Sequence, residues 1–121
     1  MTKSKTLPRK FRQWEIVMFP FAEERLHPAV IISNDEIAEN PDIAAVNALI
    51  CSSAEIRRDP KPNEETLDAA DGLDWRSVVR CDRIYLLPKA VFRNSRGSVT
   101  AERRPLIGRK IVEVFRLPLS R

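Results

Sequence analysis

An arginine and an aspartate stand two residues apart in the segment Val78-Val79-Arg80-Cys81-Asp82. In a strand, residues two apart point to the same side with Cα atoms about 6.5 Å apart, so Arg80 and Asp82 are predicted to project together. Such a pair suits phosphodiester chemistry: the carboxylate can take a proton from a ribose 2′-hydroxyl, and the guanidinium can stabilise charge on the phosphate oxygens. The alternative interpretation is a same-face salt bridge without a catalytic role.

Further candidates for proton transfer or nucleophilic attack lie on two other segments. His27 is the only histidine, the residue type that changes charge near neutral pH, and it either shuttles protons or simply lies in the turn before Pro28. Ser52 follows Cys51 at the end of an apolar segment. A nucleophilic cysteine needs a neighbouring base, and the sequence shows none, so Cys51 is predicted to be a small core residue.

Cationic and aromatic side chains are candidates for nucleic-acid contacts. Arg57, Arg58 and Lys61 lie in a polar loop and either contact phosphates or form a solvated surface. Arg83 lies next to Asp82 and is a fourth candidate. Aromatic residues near the predicted strands can stack on bases or pack in the core, and these are Trp14, Trp75, Tyr85 and Phe92.

Charge is distributed unevenly along the chain. Residues 1–12 carry five basic and no acidic side chains, residues 13–79 carry five basic and fourteen acidic, and residues 80–121 carry eleven basic and three acidic. The net charges of the three segments are therefore +5, −9 and +8. This split predicts either a basic surface that faces an anionic partner or ordinary basic helix faces and tails.

Composition excludes several classes of protein. Three glycines are too few for a glycine-rich phosphate loop, and one histidine with two cysteines makes a zinc site unexpected. The sequence has neither an apolar run of about 20 residues nor the apolar segment of a signal peptide. We therefore expect a cytoplasmic protein with no membrane span, no metal and no other cofactor, whose cysteines stay reduced.

Hydrophobic periodicity predicts the elements that would position these residues. Strands are predicted at 14–19 (ended by Pro20), 27–33, 43–51 and 77–87 (the last bent partway), with a short edge strand at 65–67. A helical turn follows Ser33, a long loop covers 52–65, turns are predicted at Asp71-Gly72 and 94–97, and Ile107, Ile111, Val114 and Phe115 have helical spacing.

These elements indicate an α+β fold. Five to seven short strands and one C-terminal helix predict a small, twisted, barrel-like sheet that carries a helix. Residues 1–12 are predicted to form a basic flexible arm, and residues 13–121 a single domain.

The order of four segments resembles the MazF/PemK (Kid) family of toxins from type II toxin–antitoxin systems. The segments are Trp14-Glu15-Ile16-Val17, the strand from His27-Pro28 to Asn34-Asp35, Ala48-Leu49-Ile50-Cys51-Ser52, and Ser77-Val78-Val79-Arg80-Cys81-Asp82. The resemblance implies an SH3-like (CcdB/MazF/Kid-type) barrel that dimerises. It also implies a metal-independent endoribonuclease, or mRNA interferase, that cuts single-stranded RNA to a 2′,3′-cyclic phosphate and a 5′-hydroxyl, and a small antitoxin partner with an acidic binding segment.

Arg80 and Asp82 match the arginine and aspartate that are catalytic in the PemK branch, but several other positions depart from the pattern. His27 stands where the family has an arginine, and Cys51 where it has a functional threonine. The implied mechanism uses Asp82 as the base, Arg80 as the electrostatic catalyst, and His27 or Ser52 to assist the leaving 5′-oxygen. The alternative is a non-cleaving member that binds RNA or a protein target such as gyrase.

Overall fold

A computed structural model of the protein describes residues 10–22, 25–53 and 59–116 of the 121-residue chain. In chain order the elements are β1 (Glu15–Ala22), β2 (Arg25–Ile31), α1 (Asp35–Glu39), β3 (Ala45–Ser53), β4 (Glu64–Leu67), β5 (Ser77–Pro88), β6 (Ser95–Ser98) and α2 (Arg104–Phe115). Two short 3-10 turns, Ala69–Asp71 and Lys89–Val91, follow β4 and β5. Within the described part of the chain, no helix is long and apolar enough to cross a membrane.

The six strands form one antiparallel sheet in the order β4-β5-β3-β2-β1-β6. Alternate residues of the central strands are buried on opposite faces. One face packs against α1 and the segment around Phe11 and Phe92, and it includes Val17, Ala29, Ile31, Val46, Ala48 and Ile50. The other face packs against α2, and it includes Ile16, Val30, Leu49, Cys51, Val79 and Ile107. The predicted α+β architecture, a curled sheet with a C-terminal helix, is confirmed.

The two edges of the curled sheet meet at a pair of glycines. Gly72 follows the turn after β4 and has φ 101°, and Gly97 lies in β6 at the opposite edge. A Cβ atom on Gly72 would lie 2.3 Å from the carbonyl oxygen of Arg96. Only a residue without a side chain permits this approach, so Gly72 is required for the curvature.

The buried carboxylate of Asp71 links the contact between the two sheet edges to α2. The side chain of Asp71 is fully buried and accepts hydrogen bonds from the backbone N–H groups of Thr100 (2.9 Å) and Asp68 (2.9 Å). Arg103, at the start of α2, donates to Asp71 and to both carboxylate oxygens of Asp68. The sheet edge and the helix are therefore held by one network of ion pairs.

Strand β5 bends in the middle. Leu49 pairs with Ile84, whereas Cys51 pairs with Val79, so four residues of β5 lie between these pairs where β3 has only Ile50. Residues 80–83 form this bulge. The first half of β5 also pairs with β4, and Glu64 lies opposite Arg80. The bend, which the sequence predicted only in outline, displaces Arg80 and Asp82 from regular pairing with β3.

The structure corrects three details of the predicted elements. Pro20 does not end the first strand, since β1 continues to Ala22. Because β6 pairs with β1 only as far as Val17, the missing N–H of Pro20 removes no hydrogen bond between these two strands. The turn predicted at 94–97 is wrong, because β6 (Ser95–Ser98) occupies most of that segment. Phe11, assigned to the flexible arm, is buried with its ring 5.3 Å from that of Phe92, whereas residues 1–9 lie outside the described part.

Candidate active site

Arg80 and Asp82 lie side by side in the bend of β5. Nη2 of Arg80 donates to Oδ2 of Asp82 at 3.3 Å, which confirms that the two side chains project together. Their side chains are 27% and 23% exposed, so a ligand can reach both groups from solvent. Nε of Arg80 and Oδ1 of Asp82 are buried and make no hydrogen bond to any described residue. Oδ1 of Asp82 therefore keeps acceptor capacity that no described residue uses.

A second carboxylate, which the sequence analysis did not single out, lies on the other side of Arg80. Glu64 is only 2% exposed, and its Oε2 atom is 3.8 Å from Nε of Arg80. Its Oε1 atom accepts a hydrogen bond from the backbone N–H of Lys61 at 3.0 Å. The guanidinium of Arg80 thus lies between two carboxylates, one buried and one open to solvent.

His27 and Ser52 lie on the same face of the sheet as Arg80. Ala29 pairs with Ile50, and His27 and Ser52 each lie two residues from this pair toward the same end of the sheet. Ser52 is exposed and lies opposite Val78, which precedes Arg80 by two residues. Alternation along β2, β3 and the first half of β5 therefore gives His27, Ser52 and Arg80 a common face, and the hydrogen bond from Arg80 places Asp82 beside them.

Of the four predicted RNA-binding residues, two fall within the described part of the chain. Lys61 is exposed, and its backbone contacts Glu64 beside Arg80. Arg83 is exposed within the bend of β5. Lys61 is therefore linked to the Arg80–Asp82 pair through Glu64, and Arg83 follows Asp82 directly in the chain. Arg57 and Arg58 lie outside the described residues.

Aromatic rings flank the candidate site on the same face. Phe21 is 39% exposed, and its ring centroid lies 5.9 Å from that of His27 and 5.6 Å from that of Tyr85. We call Phe21, His27 and Tyr85 the aromatic cluster. Small side chains at Ala29 and Ala48, which share this face, leave room for rings from β1 and β5 to meet above the sheet.

The other aromatic candidates serve different purposes. Phe92 is buried against Phe11, Trp75 lies under the guanidinium of Arg96 at 5.3 Å, and Trp14 packs against the core on the α2 side. Phe21 was missed because it was assigned to a loop after Pro20. Of the aromatic residues that the sequence analysis proposed, Tyr85 is the one in the cluster.

Both cysteines are buried on the face covered by α2 and form no disulfide. Burial raises the pKa of Cys81 to about 12 and also raises the pKa of Cys51. A thiol in such surroundings is not a nucleophile at neutral pH, so the prediction that Cys51 is a core residue is confirmed. Among the described residues, no group of three or more His, Cys, Asp and Glu side chains is arranged to hold a metal ion.

Comparison with known families decides the identity of this fold. Residues 12–115 match the family described as PemK-like, MazF-like toxin of type II toxin–antitoxin system. The chain belongs to this family. The matched segment contains all of the described strands and helices, and therefore the whole candidate site. No protein of curated function matches the sequence significantly.

Solved structures of MazF toxins and endoribonucleases share the fold. The Mycobacterium tuberculosis toxin MazF-mt6 superposes with a TM-score of 0.72 at 21% identity, covering 86% of this chain and 98% of that one. An endoribonuclease in complex with its cognate antitoxin from Mycobacterial species gives a TM-score of 0.71 at 22% identity over 90% of this chain and 98% of that one. A chain of the MazE-MazF structure from Deinococcus radiodurans gives 0.69 at 21% identity, covering 88% and 96%. At these identities the comparison establishes the PemK/MazF-like fold.

Proposed function

We propose that this member of the PemK/MazF-like family is an endoribonuclease that cleaves single-stranded RNA by attack of the substrate's own 2′-hydroxyl. The observation that carries the proposal is the contact between Arg80 and Asp82 in a solvent-accessible bend of β5. The MazF-like family includes endoribonucleases, which gives this pair a plausible reaction.

In the proposed reaction, Asp82 accepts the proton of the 2′-hydroxyl while O2′ forms a bond to phosphorus. The bond from phosphorus to the 5′-oxygen of the next nucleotide then breaks. The products are a 2′,3′-cyclic phosphate and, after the leaving oxygen gains a proton from His27 or Ser52, a 5′-hydroxyl. The nucleophile comes from the substrate, so the step needs no metal-bound water.

Arg80 supplies electrostatic stabilisation in this scheme. A guanidinium stays protonated in proteins, so Arg80 donates hydrogen bonds to the non-bridging oxygens of the phosphorane and does not act as a base. When Asp82 takes up a proton, its ion pair with Arg80 loses charge and weakens. Nη2 of Arg80 becomes available at the moment when negative charge develops on phosphorus.

Binding of the RNA is assigned to the groups around this pair. The exposed cations Lys61 and Arg83 would contact phosphates, and the partly exposed ring of Phe21 in the aromatic cluster would stack on an unpaired base. Stacking requires a base that is free of its partner strand, which favours single-stranded RNA over a duplex.

Two protein partners are also proposed. A toxin–antitoxin family implies a small antitoxin, and an endoribonuclease of this fold has been solved in complex with its own. The basic segment from residue 80 onward, with net charge +8, would attract an acidic antitoxin segment. A second copy of the chain is proposed as a homodimer partner, since Leu86 is 69% exposed and Ile84 39% exposed on β5.

A non-cleaving member that binds RNA or a protein target such as gyrase is the second candidate. The observation that favours it is the burial of Cys51, which turns the side chain at the expected threonine position into the core. Binding of the same RNA in a fluorescence-anisotropy titration, with no cleavage in the assay below, would support this candidate.

The test is cleavage of a long, unstructured RNA by the wild-type protein with and without a chelator, compared with an Arg80→Met, Asp82→Asn double variant. We expect wild-type cleavage that survives the chelator and a double variant without detectable activity. The control is Glu102→Gln, Arg109→Met, which removes the same two charges from exposed positions and should cleave normally. Cleavage by the Arg80/Asp82 double variant at the wild-type rate would overturn the proposal.

A further inference from the structure

We infer that Glu64 is a positioning residue, which holds the guanidinium of Arg80 in the orientation that the transition state needs. This inference rests on the proposed endoribonuclease function and adds to it a residue outside the Arg-Cys-Asp segment. It begins from an unusual observation: the side chain of Glu64 is only 3% exposed, although a glutamate is almost never fully buried unless it is paired.

Glu64 is fixed in place through both its backbone and its side chain. Its backbone N–H donates to the carbonyl oxygen of Lys61 at 2.9 Å, and its carbonyl oxygen accepts from Nζ of Lys110 at 3.0 Å. The carboxylate accepts from the backbone N–H of Lys61 at 3.0 Å. Because this frame is built largely from backbone atoms, the buried charge of Glu64 has a defined position relative to β5.

That charge faces the Nε edge of Arg80. Glu64 lies directly opposite Arg80 in the β4–β5 ladder, and Oε2 is 3.8 Å from Nε. Asp82 contacts a different part of the same guanidinium, Nη2. The planar group is therefore held at two points, by a buried carboxylate behind it and by a partly exposed carboxylate beside it.

The two carboxylates would change differently during the reaction. Asp82, as the base, becomes neutral when it accepts the 2′-hydroxyl proton, and its hold on Arg80 weakens. Glu64 lies away from solvent and takes no part in the proton transfer, so it still holds the Nε edge when Nη2 turns to the phosphorane. A misplaced catalytic group can lower the rate of the chemical step by up to about 100-fold. The contact between Glu64 and Arg80 is therefore expected to act on kcat.

The Glu64→Gln variant separates this role from a purely structural one. Glutamine keeps an oxygen that can accept the hydrogen bond from the Lys61 backbone, but it removes the charge that faces Arg80. The matched control is Glu65→Gln on the neighbouring position of β4, where the side chain pairs with Lys110 at 3.4 Å. Both variants remove one carboxylate from the same strand, and only Glu64 faces Arg80.

We expect Glu64→Gln to lower kcat between about tenfold and about 100-fold with KM within about twofold of wild type, and Glu65→Gln to leave both unchanged.

A double-mutant cycle tests whether Glu64 acts through Arg80. In an Arg80→Lys background, which lacks the Nε–H group, Glu64→Gln should lower kcat by less than about twofold further. Equal losses in the wild-type and Arg80→Lys backgrounds would overturn the inference, as would a folded Glu64→Gln variant with wild-type kcat.

If circular dichroism shows that Glu64→Gln is unfolded, Glu64→Asp provides the same test, since it keeps the charge and retracts it by one methylene. A kcat of at least half the wild-type value in Glu64→Asp would then contradict the positioning role. Absence of cleavage by the wild-type protein would contradict the proposed function itself, so the two failures are distinguishable.

Discussion

Nη2 of Arg80 lies 3.3 Å from Oδ2 of Asp82, where strand β5 bends away from its pairing with β3. Nε of Arg80 faces the Glu64 carboxylate at 3.8 Å, whereas Oδ1 of Asp82 is buried without a hydrogen bond to any described residue. A purely structural ion pair gains most when all of its polar atoms are satisfied. The unsatisfied Oδ1 atom and the partial exposure of both side chains therefore favour a catalytic role over a structural one.

Replacement of His27 by alanine should slow cleavage of ordinary RNA by about 100-fold or more, because the leaving 5′-oxygen loses its proton donor. A substrate with sulfur in place of the bridging 5′-oxygen releases a thiolate, which needs no proton. On that substrate His27→Ala should cleave within a few-fold of wild type. Rate measurements on both substrates check this prediction. If Ser52→Ala shows the selective loss and His27→Ala does not, the donor is Ser52.

Truncation of Phe21 should weaken RNA binding with little effect on the folded structure, since its ring is 39% exposed. Loss of one stacked base costs about 1–3 kcal/mol, so Phe21→Ala should raise the Kd for a short single-stranded RNA by about fivefold to 150-fold. Leu26→Ala, an equally exposed residue of the next strand, is the control. Fluorescence anisotropy measures both. An unchanged Kd in Phe21→Ala would remove the aromatic cluster from the binding surface.

Two glycine-to-alanine variants should shift stability in opposite directions. Gly72→Ala places a Cβ atom 2.3 Å from the Arg96 carbonyl oxygen at φ 101°, so it should lower the free energy of unfolding by more than about 1 kcal/mol. Gly108 lies within α2, and an added Cβ there meets no atom within 4 Å apart from its chain neighbours and the backbone of its own helix, so alanine should raise the free energy of unfolding by up to about 1 kcal/mol. Urea denaturation measures both. A neutral Gly72→Ala would contradict the close approach of the two sheet edges.

Asp68 should make stability depend on acidic pH. The hydrogen bonds from Arg103, and then that from the Ala70 backbone N–H, lower the pKa of Asp68 below its ordinary value of 3.8 in the folded state. A lowered folded-state pKa stabilises the protein above the unfolded-state value, and this contribution is lost as the pH falls through the folded-state pKa. Asp68→Asn should therefore be less stable than wild type at pH 7, and the difference should shrink below about pH 4.

The check is urea denaturation of both proteins at several pH values. Asp42→Asn, at an exposed turn, serves as the control for a change of one carboxylate. A stability difference between Asp68→Asn and wild type that is the same at pH 7 and at pH 3 would show that the ion pair with Arg103 does not carry the effect.

The local part of the site was predictable from the sequence because it depends on strand alternation. The spacing of Arg80 and Asp82 places both on one side of any extended strand, whatever the sheet around them. The burial of Cys51 followed in the same way from an apolar segment. These predictions need only the conformation of a few consecutive residues.

The non-local part was not predictable from one sequence. Glu64 faces Arg80 through the register of β4 on β5, and a register between distant segments leaves no mark in either segment alone. Strand β6 contains the turn-like segment Ser95-Arg96-Gly97, which is extended because β1 and the close contact with Gly72 hold it. Phe21 was assigned to a loop because a proline normally ends a strand. Pro20 is tolerated within β1 because β6 pairs with β1 only as far as Val17, and residues near Pro20 do not reveal where β6 ends.

Attack by the substrate's 2′-hydroxyl, with Asp82 as its base, is tested most directly by replacing one nucleotide of an oligoribonucleotide at the mapped cleavage position with its 2′-deoxy counterpart. Cleavage of the all-ribose oligonucleotide should give a 2′,3′-cyclic phosphate and a 5′-hydroxyl, and the singly substituted oligonucleotide should remain intact at that bond. Cleavage of the substituted bond, with a 5′-phosphate on the product, would contradict the proposed mechanism.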